Sequence, residues 1–252
     1  ALGASTLHLG RPQYAWRAVI GLRHAWLSRE IVVFGIFAGA AVSYAAVNWF
    51  GLEAFGVSAS LRTGIAWTVA ASGVIGVLCS VMVYAFTQKA FWTFPLTATR
   101  FFLTTAVLGI AAVWLTLLLM SSSGNAQAAE IIARRGELIC KGLMISTALK
   151  LAFDALVFRH LLRKQTTVMK RSALLMIGPL KRETLWRFAS GAFGGLVMPV
   201  VMLQLMSGAS SSQTMILGSA AVLFVACLAG ELLERYLFFA AVASPRMPGT
   251  LR

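Results

Sequence analysis

Five side chains able to handle protons and negative charge (His8, Arg11, Tyr14, Arg29 and Glu30) lie within one stretch, TLHLGRPQYAWRAVIGLRHAWLSREI (6–31). Charged residues make up only 12% of the 252-residue chain, so this is a concentration of scarce chemistry. A histidine exchanges protons near neutral pH and can bond a carbonyl oxygen. A carboxylate accepts protons, and an arginine stabilises developing oxyanion charge. The set suits a small oxygen-bearing substrate whose conversion moves protons. Glu30 and His8 also have plain structural readings. Ser28 suits the N-cap of a following helix, which places Glu30 in the first turn as a complement to the positive helix end. His8 reads equally as a helix-terminal histidine bonded to backbone, with small neighbours (Gly3, Ala4, Gly10) leaving space beside it.

The elements that must position these residues cross a membrane. Hydrophobic residues form 59% of the chain and mean hydropathy is +0.81, whereas soluble domains carry about 25% charged residues. No side chain ionised at neutral pH lies between Glu30 and Glu53, Arg62 and Lys89, Arg100 and Glu130, or Arg187 and Glu231. Because about 20 apolar residues span the hydrocarbon core, six complete crossings are expected, at about 29–50, 63–87, 97–120, 137–160, 187–206 and 213–241. Gly51 and Gly56, Pro95, SSSGN (121–125), a basic linker and SGASSSQ (207–213) mark the breaks. The expected fold is all-α, a polytopic transmembrane helix bundle forming a single integral membrane domain over residues 1–252. ALGASTLHLG reads as the closing turns of a helix whose beginning precedes the sequence. Pro12 then opens a short interfacial helix carrying Tyr14, Trp16, Arg17, Ile20, Arg23 and Trp26.

Net charge is +14. In a soluble chain that would point to nucleic acid; here it reads as a topology signal, and no nucleic-acid partner is expected. Sixteen Lys and Arg residues fall on one expected face: Arg11, Arg17, Arg23, Arg29, Lys89, Arg100, Arg159, Arg163, Lys164, Lys170, Arg171, Lys181, Arg182, Arg187, Arg246 and Arg252. Arg62, Arg134 and Arg135 fall on the other. The positive-inside rule makes the first face cytoplasmic in a bacterial inner membrane, and the opening stretch lies there. Cys79, Cys140 and Cys227 are widely spaced within apolar segments, form no metal-ligand pattern and read as packing residues.

Quinone conversion, which moves two electrons and two protons, fits the His8, Arg11 and Glu30 set. The same residues carry a family resemblance. LHLGRP (7–12) followed by LSREI (27–31) resembles the membrane anchor subunits of the dimethyl sulfoxide reductase type, found in multisubunit molybdopterin oxidoreductases. TQKAFW (87–92), FFLTTAVLG (101–109) and AGELLERYLFF (229–239) fall where that family's other recognisable segments are expected. The resemblance implies an eight-helix anchor, of which this sequence would hold six crossings and an N-terminal stub, lacking one helix and most of a second. It implies a quinone, ubiquinone or menaquinone, at a site including His8 and Glu30, with Arg11, Tyr14 and Arg29 close by. It also implies a four-cluster ferredoxin-like iron–sulfur subunit docked on the anchor, contacting a molybdopterin catalytic subunit. Iron–sulfur clusters and molybdopterin then belong to the partners alone. The strong positive charge of the expected docking face resembles the cytoplasm-facing, sulfite-oxidising members more than the exported reductases that oxidise quinol.

Two further sets could do chemistry. Lys150 and Asp154 are four residues apart in one crossing, and read as an ion pair or part of a proton path. Glu231, Glu234 and Arg235 lie near the end of the last helix; Glu231 and Arg235 are spaced to pair along it, in a packing, docking or site-supporting role. Haem is not expected, because His24 sits in a polar loop and His160 at a helix end. Two other classes fit less well: a secondary transporter using Lys150 and Asp154, though paired repeats and broken helices are not evident, and a passive anchor without redox work.

Overall fold

The computed structural model describes residues 20–51, 56, 58–207 and 212–243. Among them the regular structure is helical throughout, with no strand. Packing groups the chain into two compact units, Ala1–Ala98 and Thr99–Arg252.

In the first unit a 3-10 turn, Ile20–Arg23, leads into helix α1, Trp26–Phe50. The N-cap of α1 is Ala25, with no side-chain cap. Helix α1 therefore starts two residues before the expected Ser28 cap, and Glu30 stands in its second turn instead of its first. The start is held by Arg29 instead, whose Nε and Nη2 donate to the carbonyls of Leu22 (2.8 Å) and Arg23 (3.2 Å). Gly51, at φ +89°, ends the helix in a conformation that other residues rarely adopt. Helix α2, Ala59–Ala85, is capped by Ser58, whose hydroxyl accepts from Leu61 N. It runs antiparallel to α1, because Phe34 packs against Gly76 and Phe37 against Gly73. A Cβ on Gly76 would lie 2.8 Å from the Phe34 ring. Between lipid-solvated helices, association rests on such close packing and not on the hydrophobic effect.

Helix α3, Phe94–Ser122, carries Pro95 in its first turn, where a missing N–H is harmless. Its greater part belongs to the second unit, with α4 (Ala126–Ala155), α5 (Val168–Ile177), α6 (Lys181–Ser207) and α7 (Gln213–Ala240). Gly124 (φ +88°) makes the turn before α4, and Asn125 caps it by accepting from Ala128 N. Helix α4 starts about 11 residues before the expected crossing. Glu130–Arg134 and Glu137–Lys141 pair along it at 2.9 and 2.5 Å, so charges that read as a loop sit on an exposed helical face. The basic linker likewise holds α5, capped by Thr167, and the opening turns of α6. Within α6 the segment Phe193–Val197 is a π turn. A Cβ on Gly194 there would lie 2.7 Å from the backbone nitrogen of Cys227, so the missing side chain sets how close α6 and α7 can come. Trp114, Leu143, Met202, Leu223, Cys140 and Cys227 fill the core between α3, α4, α6 and α7.

Among the described residues, α1, α2, α3, α6 and α7 are long and apolar enough to cross a membrane. Helix α4 has the length, but seven charged residues along its 30 positions keep it out of that set.

Candidate functional site

His8, Arg11 and Tyr14 lie outside the described residues. Of the opening stretch, Arg29 and Glu30 are placed. Arg29 is committed to the Leu22 and Arg23 carbonyls, with its guanidinium 4.2 Å from the Trp26 ring centroid. It anchors the approach to α1. Glu30 is half-buried, and one carboxylate oxygen accepts from Ser80 Oγ of α2 at 2.5 Å. Its other oxygen has no partner among the described residues. A half-buried carboxylate with one oxygen fixed, and the other unpaired among the described residues, is chemically suited to receive a proton. Ser80 was not singled out by sequence; its polar side chain in an apolar helix was the available signal.

The densest charged chemistry lies in the second unit. Arg100 of α3, Lys150 and Asp154 of α4, Arg187 of α6, and Glu231 and Glu234 of α7 are all buried. Their charges alternate in a closed ring. Arg100 Nε lies 3.7 Å from Asp154 Oδ1, and Asp154 Oδ2 lies 2.9 Å from Arg187 Nη2. That Nη2 is 3.1 Å from Glu231 Oε1, whose Oε2 is 3.2 Å from Lys150 Nζ. Lys150 Nζ is 3.7 Å from Glu234 Oε2, and Glu234 Oε1 returns to Arg100 Nε at 3.8 Å. Three cations and three carboxylates cancel, and each charge faces two of opposite sign. Lys150 Nζ also donates to the Arg100 carbonyl (2.9 Å) and to Thr104 Oγ1 (2.6 Å), and Thr104 donates to Glu231 Oε2 (2.6 Å).

Helix direction explains the convergence. Arg100 and Arg187 are near the starts of α3 and α6, while Lys150, Asp154, Glu231 and Glu234 are near the ends of α4 and α7. Antiparallel neighbours bring these four termini to one end of the unit. Small residues make room: Arg187 Nη1 would be 2.7 Å from a Cβ on Gly191 and 3.2 Å from one on Gly230.

The ring revises the pairings expected from spacing. Lys150 is matched with Glu231 and Glu234, and Asp154 with Arg100 and Arg187, so the two share the ring without being adjacent in it. Glu231 is taken by Lys150, Arg187 and Thr104, leaving Arg235 to stack instead, 3.9 Å from the Phe101 ring centroid. Arg100 and Arg187, counted by sequence among sixteen surface cations, are buried ring members. Their position at the edges of long charge-free gaps made them look like loop residues. Among the described residues no cluster of His, Cys, Asp and Glu could hold a metal.

Long apolar helices tied by buried ion pairs define a multi-pass helical membrane protein. Residues 2–241 match the family model for the DMSO reductase anchor subunit (DmsC), and the chain belongs to that family. A curated sulfite dehydrogenase subunit from Allochromatium vinosum is 38% identical over 109 residues, covering 40% of this chain and 33% of that protein. The match thus spans one third of that relative's length. No solved structure matches the chain.

Proposed function

We propose that the chain is the quinone-reactive anchor of a membrane-bound molybdopterin oxidoreductase, a single integral membrane domain that exchanges electrons with an iron–sulfur subunit. The carrying observation is the family match over residues 2–241, which includes the His8–Glu30 stretch, together with the half-buried carboxylate of Glu30 held by Ser80. In this reading His8 bonds a quinone oxygen, Glu30 receives or delivers a proton, and Arg11 and Tyr14 complete the polar edge. Arg29, bonded to the Leu22 and Arg23 carbonyls, borders the same site. Two electrons from the partner's clusters and two protons convert quinone to quinol. The quinone would be ubiquinone or menaquinone.

The similarity to a sulfite dehydrogenase subunit supports a complex that oxidises sulfite and reduces quinone. The excess of Lys and Arg on one expected face supports docking of a four-cluster iron–sulfur subunit and a molybdopterin subunit on the cytoplasmic side of a bacterial inner membrane. The closed ring supports a structural charge-pairing role for Lys150 and Asp154, each with other partners, over a proton path, since every carboxylate in it is held between two cations. His8→Ala in the purified complex tests the proposal: quinone-linked turnover should fall by at least about a hundredfold, while turnover with an artificial dye persists. Equal rates with quinone in variant and parent would reject it.

A further inference from the structure

Helix α6 presents two unlike faces where it begins. Thr184, Arg187 and Gly191 point inward and are buried. On the outer face Lys181, Arg182, Leu185, Trp186 and Ala189, with Gly178 and Pro179 of the preceding turn, line a crevice of about 610 Å³. Leu185 and Trp186 are each 59% exposed, and Lys181 and Arg182 are exposed without an ion pair among the described residues. The crevice is cationic at one end and apolar along the rest. Lys181 opens a helix long and apolar enough to span a bilayer, which puts this cationic end at the membrane surface.

Depth decides what fits. Trp186 lies four to five residues beyond the basic pair, about 6–8 Å along the axis at 1.5 Å per residue. The headgroup layer of one leaflet is about 5–8 Å thick, half the difference between a whole bilayer and its hydrocarbon core. With the Trp186 indole at the hydrocarbon edge, where tryptophan concentrates, Lys181 and Arg182 stand at phosphate level. We propose that this crevice is a binding site for one anionic phospholipid, its phosphate between Lys181 and Arg182 and its acyl chain along Leu185, Trp186 and Ala189. A soluble anion would leave the apolar half of the crevice unfilled, and a neutral lipid would leave the two cations uncompensated.

The test is native mass spectrometry of the purified complex, titrated with phosphatidylglycerol and with phosphatidylcholine. Phosphatidylglycerol should be retained preferentially. Lys181→Gln combined with Arg182→Gln should weaken that retention about thirtyfold, about fivefold for each surface charge. Arg62→Gln combined with Arg135→Gln, which removes the same charge elsewhere, should leave it unchanged. In vesicles of brominated phosphatidylglycerol, Trp186→Phe should remove the quenching that brominated phosphatidylcholine does not produce. The proposal is overturned if both lipids are retained equally, if the two double variants behave alike, or if inorganic phosphate displaces the lipid. It is equally overturned if the Lys181 and Arg182 variant loses its iron–sulfur subunit while keeping its phosphatidylglycerol, which would make the crevice a protein-docking surface.

Discussion

A carboxylate placed to exchange protons needs a fixed position and one free oxygen, and Ser80 supplies the first of these to Glu30. Hydrogen bonds to charged groups contribute about 1.5–3 kcal/mol. If that bond positions Glu30, Ser80→Ala should slow quinone-linked turnover about tenfold, leave dye-linked turnover unchanged, and be largely rescued in Ser80→Thr. Unaltered quinone kinetics in the alanine variant would show that Ser80 merely packs. Residue types made Glu30 legible as a candidate. Its actual partner was not, because the Glu30–Ser80 contact depends on the register of α1 against α2, which Phe34 against Gly76 and Phe37 against Gly73 determine.

Helix ends govern the second unit. Four helix termini meet in the charge ring, and each buried ion there has lost its hydration. Removing one member of such a set leaves an uncompensated charge, at a cost of about 3–5 kcal/mol. Arg187→Met should therefore lower the thermal stability of the detergent-solubilised protein sharply. Adding Asp154→Leu to it should recover most of the loss, because two cations and two carboxylates then remain balanced. A double variant no more stable than Arg187→Met alone would contradict the account. The positions of the five long apolar helices were readable from charge-free gaps, since ionised side chains are costly in hydrocarbon. The same logic hid the start of α4 and the burial of Arg100 and Arg187. A charge at the edge of an apolar run looks the same whether it faces headgroups or turns inward toward a carboxylate two helices away. Lys150 and Asp154, and Glu231 and Glu234 near the end of α7, announced themselves because each pair falls inside an expected crossing.

For the molecule as a whole, orientation and substrate access are linked. In the proposed orientation the ring and the crevice on α6 lie at the cytoplasmic end of the second unit. Single cysteines introduced at Arg171 and at Ser123 should then be labelled from opposite sides of sealed vesicles. The native Cys79, Cys140 and Cys227 are buried, so they should contribute little background. Labelling of both positions from one side would refute the topology and the docking face with it. The central claim, that quinone binds beside the opening stretch, is tested most directly by a photoreactive azidoquinone added to the purified complex, followed by peptide mapping. Label should enter the segments containing His8–Glu30 and Ser80, and excess natural quinone should prevent it. Quinone-protected label confined to other helices, with those two segments unmodified, would contradict the account.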